Sequence, residues 1–194
     1  ITKTEVATAT GSGVTNAQGV TYKVEKLPST QGKSIPKPIP DLDRPIIKSS
    51  IAVVSDADVS TATNKIKELQ SMLKVKPNDL PVWMDLAMYQ KLGGDYDGAI
   101  ISWTYAGKLA PTDYVSVANI ANLYAYFIKD NVKAEEYYKK AIAINPTKPY
   151  IYSQLADFYR DILKDTVKAK AIIEEGLKKN PLDETLLEYR NYLK

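Results

Sequence analysis

The chain of 194 residues contains neither His nor Cys, and this decides most of the chemistry open to it. A Ser-His-Asp triad, a Cys nucleophile, a Cys/His zinc site, a disulfide framework and the usual haem or iron–sulfur ligands are all excluded. Proton transfer near neutral pH falls to a strongly shifted Glu, Asp, Lys or Tyr, and metal binding to an oxygen-only Mg²⁺ or Ca²⁺ site. The carboxylates gather for neither task. Glu135-Glu136 and Glu174-Glu175 are spaced i to i+4 from Lys139, Lys140, Lys178 and Lys179, the pattern of solvated ion pairs on a helix face. Asp56, Asp58, Asp95 and Asp97 have a calcium-like alternation, but no twelve-residue loop ending in Glu follows them. No Gly-rich phosphate loop occurs. The run Tyr124-Ala125-Tyr126-Phe127, with Tyr137-Tyr138, suits packing rather than a ligand cage. The expectation is a protein that is not an enzyme and has no catalytic, cofactor-binding or metal residues.

The net charge of +3 is unevenly placed. Residues 1–50 carry seven basic and four acidic side chains, so 51–194 hold 19 of each and are formally neutral. The first 50 residues also hold five of the 11 Pro and four of the nine Gly, but one aromatic, Tyr22. A Thr/Ser/Gly/Pro-rich, aromatic-poor segment cannot bury enough surface to offset its chain entropy. The division is therefore a tail or stalk over 1–50 and a packed domain over 51–194. Ile35-Pro36-Lys37-Pro38-Ile39-Pro40 suits an extended spacer. Val20, Tyr22 and Val24 alternate with polar residues, the period of a half-buried strand over 19–27, with Asn16–Gly19 turning a hairpin back along Thr4–Thr10. The tail is then either a passive linker or a strand that docks on this or another chain.

The domain is periodic. Pro77, Pro111, Pro146 and Pro181 are spaced 34, 35 and 35 residues apart. Before the last three run Ala99, Trp103, Ala106; Ala134, Tyr138, Ala141; and Ala169, Ile173, Gly176. Upstream lies a second stripe at helical spacing: Trp83, Leu86, Ala87; Val117, Ile120, Ala121, Tyr124; and Tyr152, Leu155, Ala156, Tyr159. Each unit is two helices joined at a turn, Gly93-Gly94-Asp95, Lys129-Asp130-Asn131 or Lys164-Asp165, with one extra residue in the turn of the second and third units. Three units, 80–113, 114–148 and 149–183, sit between a capping helix over 56–74 and another over 184–193.

This pattern resembles the tetratricopeptide repeat over about residues 80–183. The resemblance implies an all-α, right-handed helical-repeat solenoid of about eight helices, with an extended, mostly irregular N-terminal tail and a concave face lined by the first helix of each unit. It also implies a protein-interaction scaffold whose partner is a protein or peptide. The groove positions it points to are Met84, Met88 and Lys91; Ala118 and Asn122; and Tyr150, Ser153, Asp157 and Arg160. Met offers an adaptable apolar floor, and Asn122 a donor and an acceptor for a peptide backbone. The carboxylate clamp of some relatives is absent, since Met84 and Met88 stand where Lys and Asn belong, and Tyr150 and Gln154 where Lys and Arg belong. An RNA-reading repeat of similar length needs a basic face, which a neutral domain lacks. No nucleic acid and no small-molecule substrate are expected. Self-assembly through residues 1–40, as a structural subunit of a surface assembly, is the alternative.

No run reaches the ~18 apolar residues of a membrane helix. The chain opens on Ile1 rather than Met, and its tail suits a stalk behind a removed signal peptide or anchor. The expected placement is extracytoplasmic and membrane-anchored, and otherwise cytoplasmic.

Overall fold

The computed structural model describes residues 14–15, 21–22 and 35–193. The chain divides into two units, 1–33 and 34–194. In the first, β1 (Val14–Thr15) and β2 (Thr21–Tyr22) pair antiparallel, with Val14 opposite Tyr22 and Thr15 opposite Thr21. The strand expected over 19–27 is thus described at Thr21–Tyr22. Among the described residues it pairs with 14–15; Thr4–Thr10, like the rest of 19–27, lies outside them.

The second unit is a right-handed solenoid of eight helices. These are α1 (Asp56–Val75), α2 (Leu80–Leu92), α3 (Tyr96–Leu109), α4 (Val115–Leu123), α5 (Asn131–Ile144), α6 (Pro149–Asp157), α7 (Thr166–Lys179) and α8 (Glu184–Tyr192). The starts are set by short polar caps. Asp79, Asp95, Asp130, Asp165 and Asp183 each accept the backbone N–H three residues on, and Ser55 does the same for α1. The stops before Pro are equally regular. Lys76, Ala110, Asn145 and Asn180 lie at φ −132°, −131°, −142° and −136°, because a residue before proline is driven out of the helical region.

Close approach of the helices rests on side chains with almost no volume. Ala87, Ala99, Ala106, Ala121, Ala134, Ala141, Ala156 and Ala169 are all fully buried. At Gly176 even a methyl group would come 2.8 Å from the Tyr152 ring. The large residues Trp83, Tyr138, Tyr152, Phe158 and Leu155 fill the holes these leave.

The extra residue of the second and third units is absorbed in the first helix and not in the turn. Tyr124–Ile128 and Phe158–Ile162 continue α4 and α6 as π-helical turns, the usual way a helix accommodates one inserted residue. Lys129 and Lys164 then close each turn at φ 63° and 56°, in the left-handed region that Gly94 supplies in the first unit at φ 81°.

Residues 35–54 differ from the expected stalk. Ile39, Leu42 and Ile46 pack on the core formed by Leu69, Leu73, Trp83, Leu86, Tyr105 and Leu109. The Tyr105 hydroxyl donates to the Pro36 carbonyl at 2.9 Å, the Ser49 N–H to the Gly94 carbonyl at 2.9 Å, and Lys74 pairs with Asp43. Arg44 grips Asp95 through both terminal nitrogens, Nη2 to Oδ1 at 2.9 Å. The Asp95 side chain is 1% exposed, and this contact raises the Arg44 pKa. These residues carry no regular period, so composition alone suggests a spacer. They are ordered as a strap because Ile39, Leu42 and Ile46 pack on the apolar side chains of α1, α2 and α3, while Ile47, Ile51 and Val53 stay exposed.

The strap ion pair holds a buried charge, so breaking one side is expected to cost more than a surface pair. Arg44→Ala should lower unfolding free energy by about 2–3 kcal/mol, read by urea denaturation. The Arg44→Ala/Asp95→Asn double variant should lose less than the sum of the two single changes. Additive losses would mean the pair is uncoupled.

Candidate functional site

Three helices carry the positions named from sequence, and the structure sorts them by what each side chain already does. On α2, Met88 is 51% exposed, whereas Met84 is half-buried between the two core clusters. Lys91, half-buried on the same helix, places Nζ 4.3 Å from the centre of the Phe127 ring. Burial lowers its pKa, and among the described residues no carboxylate pairs with it.

On α4, Ala118 is buried at 4% exposure. It is part of the core and offers no binding surface, which corrects its assignment to the groove. Its small side chain is needed where the helices meet. Asn122 is half-buried, and its Oδ1 accepts the Tyr138 hydroxyl at 2.5 Å. The acceptor expected to meet a peptide is therefore engaged, and the amide nitrogen keeps its donors.

On α6, Tyr150 is 61% exposed, and its hydroxyl accepts from Gln154 at 3.1 Å. The Ser153 hydroxyl donates to the carbonyl of Tyr150, one turn back. Asp157 accepts from the Tyr189 hydroxyl and, at 2.8 Å, from Nη2 of Arg160, the residue that also binds Asp161 and stacks over the Tyr189 and Tyr192 rings. Asp161, first, and the nearby phenol and carboxylate of Tyr189 and Asp157 raise the Arg160 pKa. Asp157 and Arg160 are thus tied to α8, and act as structure before they act on a ligand.

Two residues that sequence reasoning assigned to packing belong beside Met88 and Tyr150. Tyr126 is 42% and Phe127 38% exposed, while Tyr124 and Ala125 are buried. A helical period sets Phe127 on the same face as Tyr124, but the π turn over Tyr124–Ile128 rotates it outward. Phe127 then meets Tyr96 edge-on at 5.9 Å and takes Lys91 on its ring. The inserted residue was the available signal.

No group of three or more acidic side chains able to hold a metal occurs among the described residues, and no helix among them is long and apolar enough to cross a membrane. What the first-helix face offers is a set of exposed apolar and aromatic side chains, one half-buried ammonium and amide donors. That arrangement can hold an extended or helical chain, because it combines apolar anchors with a few fixed polar groups.

The buried phenols impose a testable alkaline limit. Desolvation raises the pKa of Tyr138, Tyr159 and Tyr189, with Glu135 adding to the effect at Tyr159 and Asp157 at Tyr189. Above pH ~10 the unfolded chain releases these protons and the folded chain keeps them, so stability falls as pH rises past that point. Absorbance titration at 295 nm should show these three phenols ionising only as the chain unfolds. Their ionisation in the folded chain at that pH would contradict the geometry.

The fold agrees with known proteins. Residues 137–171 match the family model described as tetratricopeptide repeat. No curated protein matches the sequence. Among solved structures, a thermophilic tetratricopeptide-repeat protein of Thermus thermophilus superposes with a TM-score of 0.54 at 20% identity, over 71% of this chain and 75% of that one. Two structures of MamA give TM-scores of 0.50 and 0.51 at 20% and 18% identity. They cover 71% and 73% of this chain, and 77% and 84% of theirs. A match over residues 137–171 by sequence and the helical body by fold therefore make this chain similar to tetratricopeptide-repeat proteins.

Proposed function

We propose that the chain is a non-enzymatic scaffold that binds a peptide or protein segment along the face of α2, α4 and α6. The observation that carries this reading is the exposure of Met88, Tyr126, Phe127 and Tyr150, with the half-buried ammonium of Lys91 over the Phe127 ring and no carboxylate paired with it among the described residues. Apolar side chains in that number on one face favour a partner over water. An ammonium already partly desolvated gains more from an arriving carboxylate than an exposed one does. The preferred segment therefore combines apolar or aromatic anchors with an acidic group. Neither nucleic acid nor a small-molecule substrate is part of this reading, because the domain is neutral and its carboxylates serve caps and ion pairs.

Placement belongs to the same proposal. The Thr/Ser/Gly-rich residues 1–34 act as the tether of an extracytoplasmic, membrane-anchored module, a reading supported by composition. A second reading, assembly through the N-terminal strands, is favoured by the pairing of Val14–Thr15 with Thr21–Tyr22, since among the described residues no further strand pairs with either and a strand edge is a template for another chain. Light scattering of the full chain and of a 35–194 variant separates the two. The same number of chains per particle in both removes the assembly reading.

Peptides selected from a random library against the full chain should be enriched in apolar residues flanking Asp or Glu. Met88→Glu and Tyr150→Ala should each weaken a selected peptide about tenfold, by loss of one anchor of roughly 1.4 kcal/mol. Lys91→Met should weaken acidic peptides selectively and reduce the salt dependence of binding. Unaltered binding in all three variants would refute the assigned face.

A further inference from the structure

We propose a second binding site on the opposite helices: the open groove between α3 and α5 takes an extended, proline-rich apolar segment bearing a carboxylate. The occupant is read from the chain itself. Residues 36–46 fill the equivalent groove between α1 and α3, one repeat earlier. There Ile39, Leu42 and Ile46 supply the apolar contacts, the Pro36 carbonyl accepts from Tyr105, and Asp43 pairs with Lys74.

The second groove has a volume of about 610 Å³, with Trp103, Gly107, Lys108, Val117, Tyr137 and Lys140 among its lining residues. Its position is equivalent by sequence frame. Trp103, Lys108 and Val117 stand 34 residues after Leu69, Lys74 and Trp83, and Lys140 stands 35 after Tyr105. Lys108 thus repeats the lysine that holds Asp43, and Lys140 adds a second cation at the rim.

Two small residues keep this groove open. Gly107 stands where the neighbouring units have Leu73 and Ile142, and Val117 where they have Trp83 and Tyr152. In those units the Trp83 indole donates to the Pro77 carbonyl and the Tyr152 hydroxyl to the Pro146 carbonyl, each at 2.9 Å. Val117 has no donor to offer Pro111. The vacancy also strands polar atoms. Trp103, 3% exposed, has no acceptor for its indole N–H, and beside Gly107 the Ser116 hydroxyl, on a residue 1% exposed, has no partner among the described residues. Buried polar atoms are rarely left so, and the Trp103 ring, which lines the groove, places its closed-off indole N–H where it reports on the groove being filled.

The site is independent of the first-helix face. Its test uses the full ¹⁵N-labelled chain and a synthetic peptide of residues 35–47. Two indole N–H signals report separately: Trp103 in the open groove, and Trp83 beneath the strap. The peptide should shift the Trp103 signal saturably and leave Trp83 unmoved. Gly107→Leu, which refills the groove, should abolish the shift. Lys108→Glu/Lys140→Glu, a surface change that leaves the core intact, should weaken binding at least tenfold, and a peptide carrying Asp43→Lys should regain most of that loss. An unmoved Trp103 signal at millimolar peptide overturns the proposal, as does a Trp83 shift, which would mean exchange with the strap. A Trp103 shift on raising protein concentration alone would give the groove to a second copy and overturn it equally.

Discussion

A pair of short helices cannot bury its apolar faces by itself, and every feature of this molecule answers that constraint. Each unit leaves one face for the next, so three units make one core only because successive helices approach at Ala and Gly positions with no exposed surface. The ends must then be closed by something that is not a repeat. At the C-terminal end this is α8, which turns Leu186 inward and leaves Glu184 and Glu188 in solvent. At the N-terminal end α1 covers part of the face, and the strap covers the groove that a further helix would otherwise fill.

The strap shows how a repeat is adapted to receive an irregular segment. Lys133 and Lys168 lie three residues after Asp130 and Asp165, the caps of α5 and α7, and Lys133 pairs with its cap at 3.3 Å. In the first unit that position is Gly98, where any side chain would collide with both Asp95 and Arg44. The cation comes instead from Arg44, on another part of the chain. Tyr105 follows the same logic, a buried aromatic where the later units place Lys140 and Glu175 in solvent. The first unit has thus exchanged two of its surface positions for an interface, and the second unit keeps the groove.

The helices, their order and their small-residue contacts were legible in the sequence, because each depends on residues close together or on a period that repeats three times. Of the residues named from sequence, Met88 and Tyr150 have exposed side chains. Ala118 was misassigned because position within a unit does not report how far a small side chain sinks between helices. Tyr126 and Phe127 were missed because one inserted residue turned the end of α4 into a π turn, and helical periodicity assumes that no such turn is present. Asp157 and Arg160 were placed on the groove without the knowledge that Tyr189, some thirty residues away, would claim both.

By itself the sequence determined what repeats: a solenoid of paired helices, without His or Cys chemistry, neutral beyond its first 50 residues. Those properties are local or periodic, and a single chain displays them directly. Only the tertiary structure decided what fills the spaces between repeats. A buried ion pair joining residues 51 apart, a strap without a period, and a groove emptied by Gly107 and Val117 all depend on volumes and charges that meet across the fold. No local pattern encodes a contact whose two halves are set by separate parts of the chain.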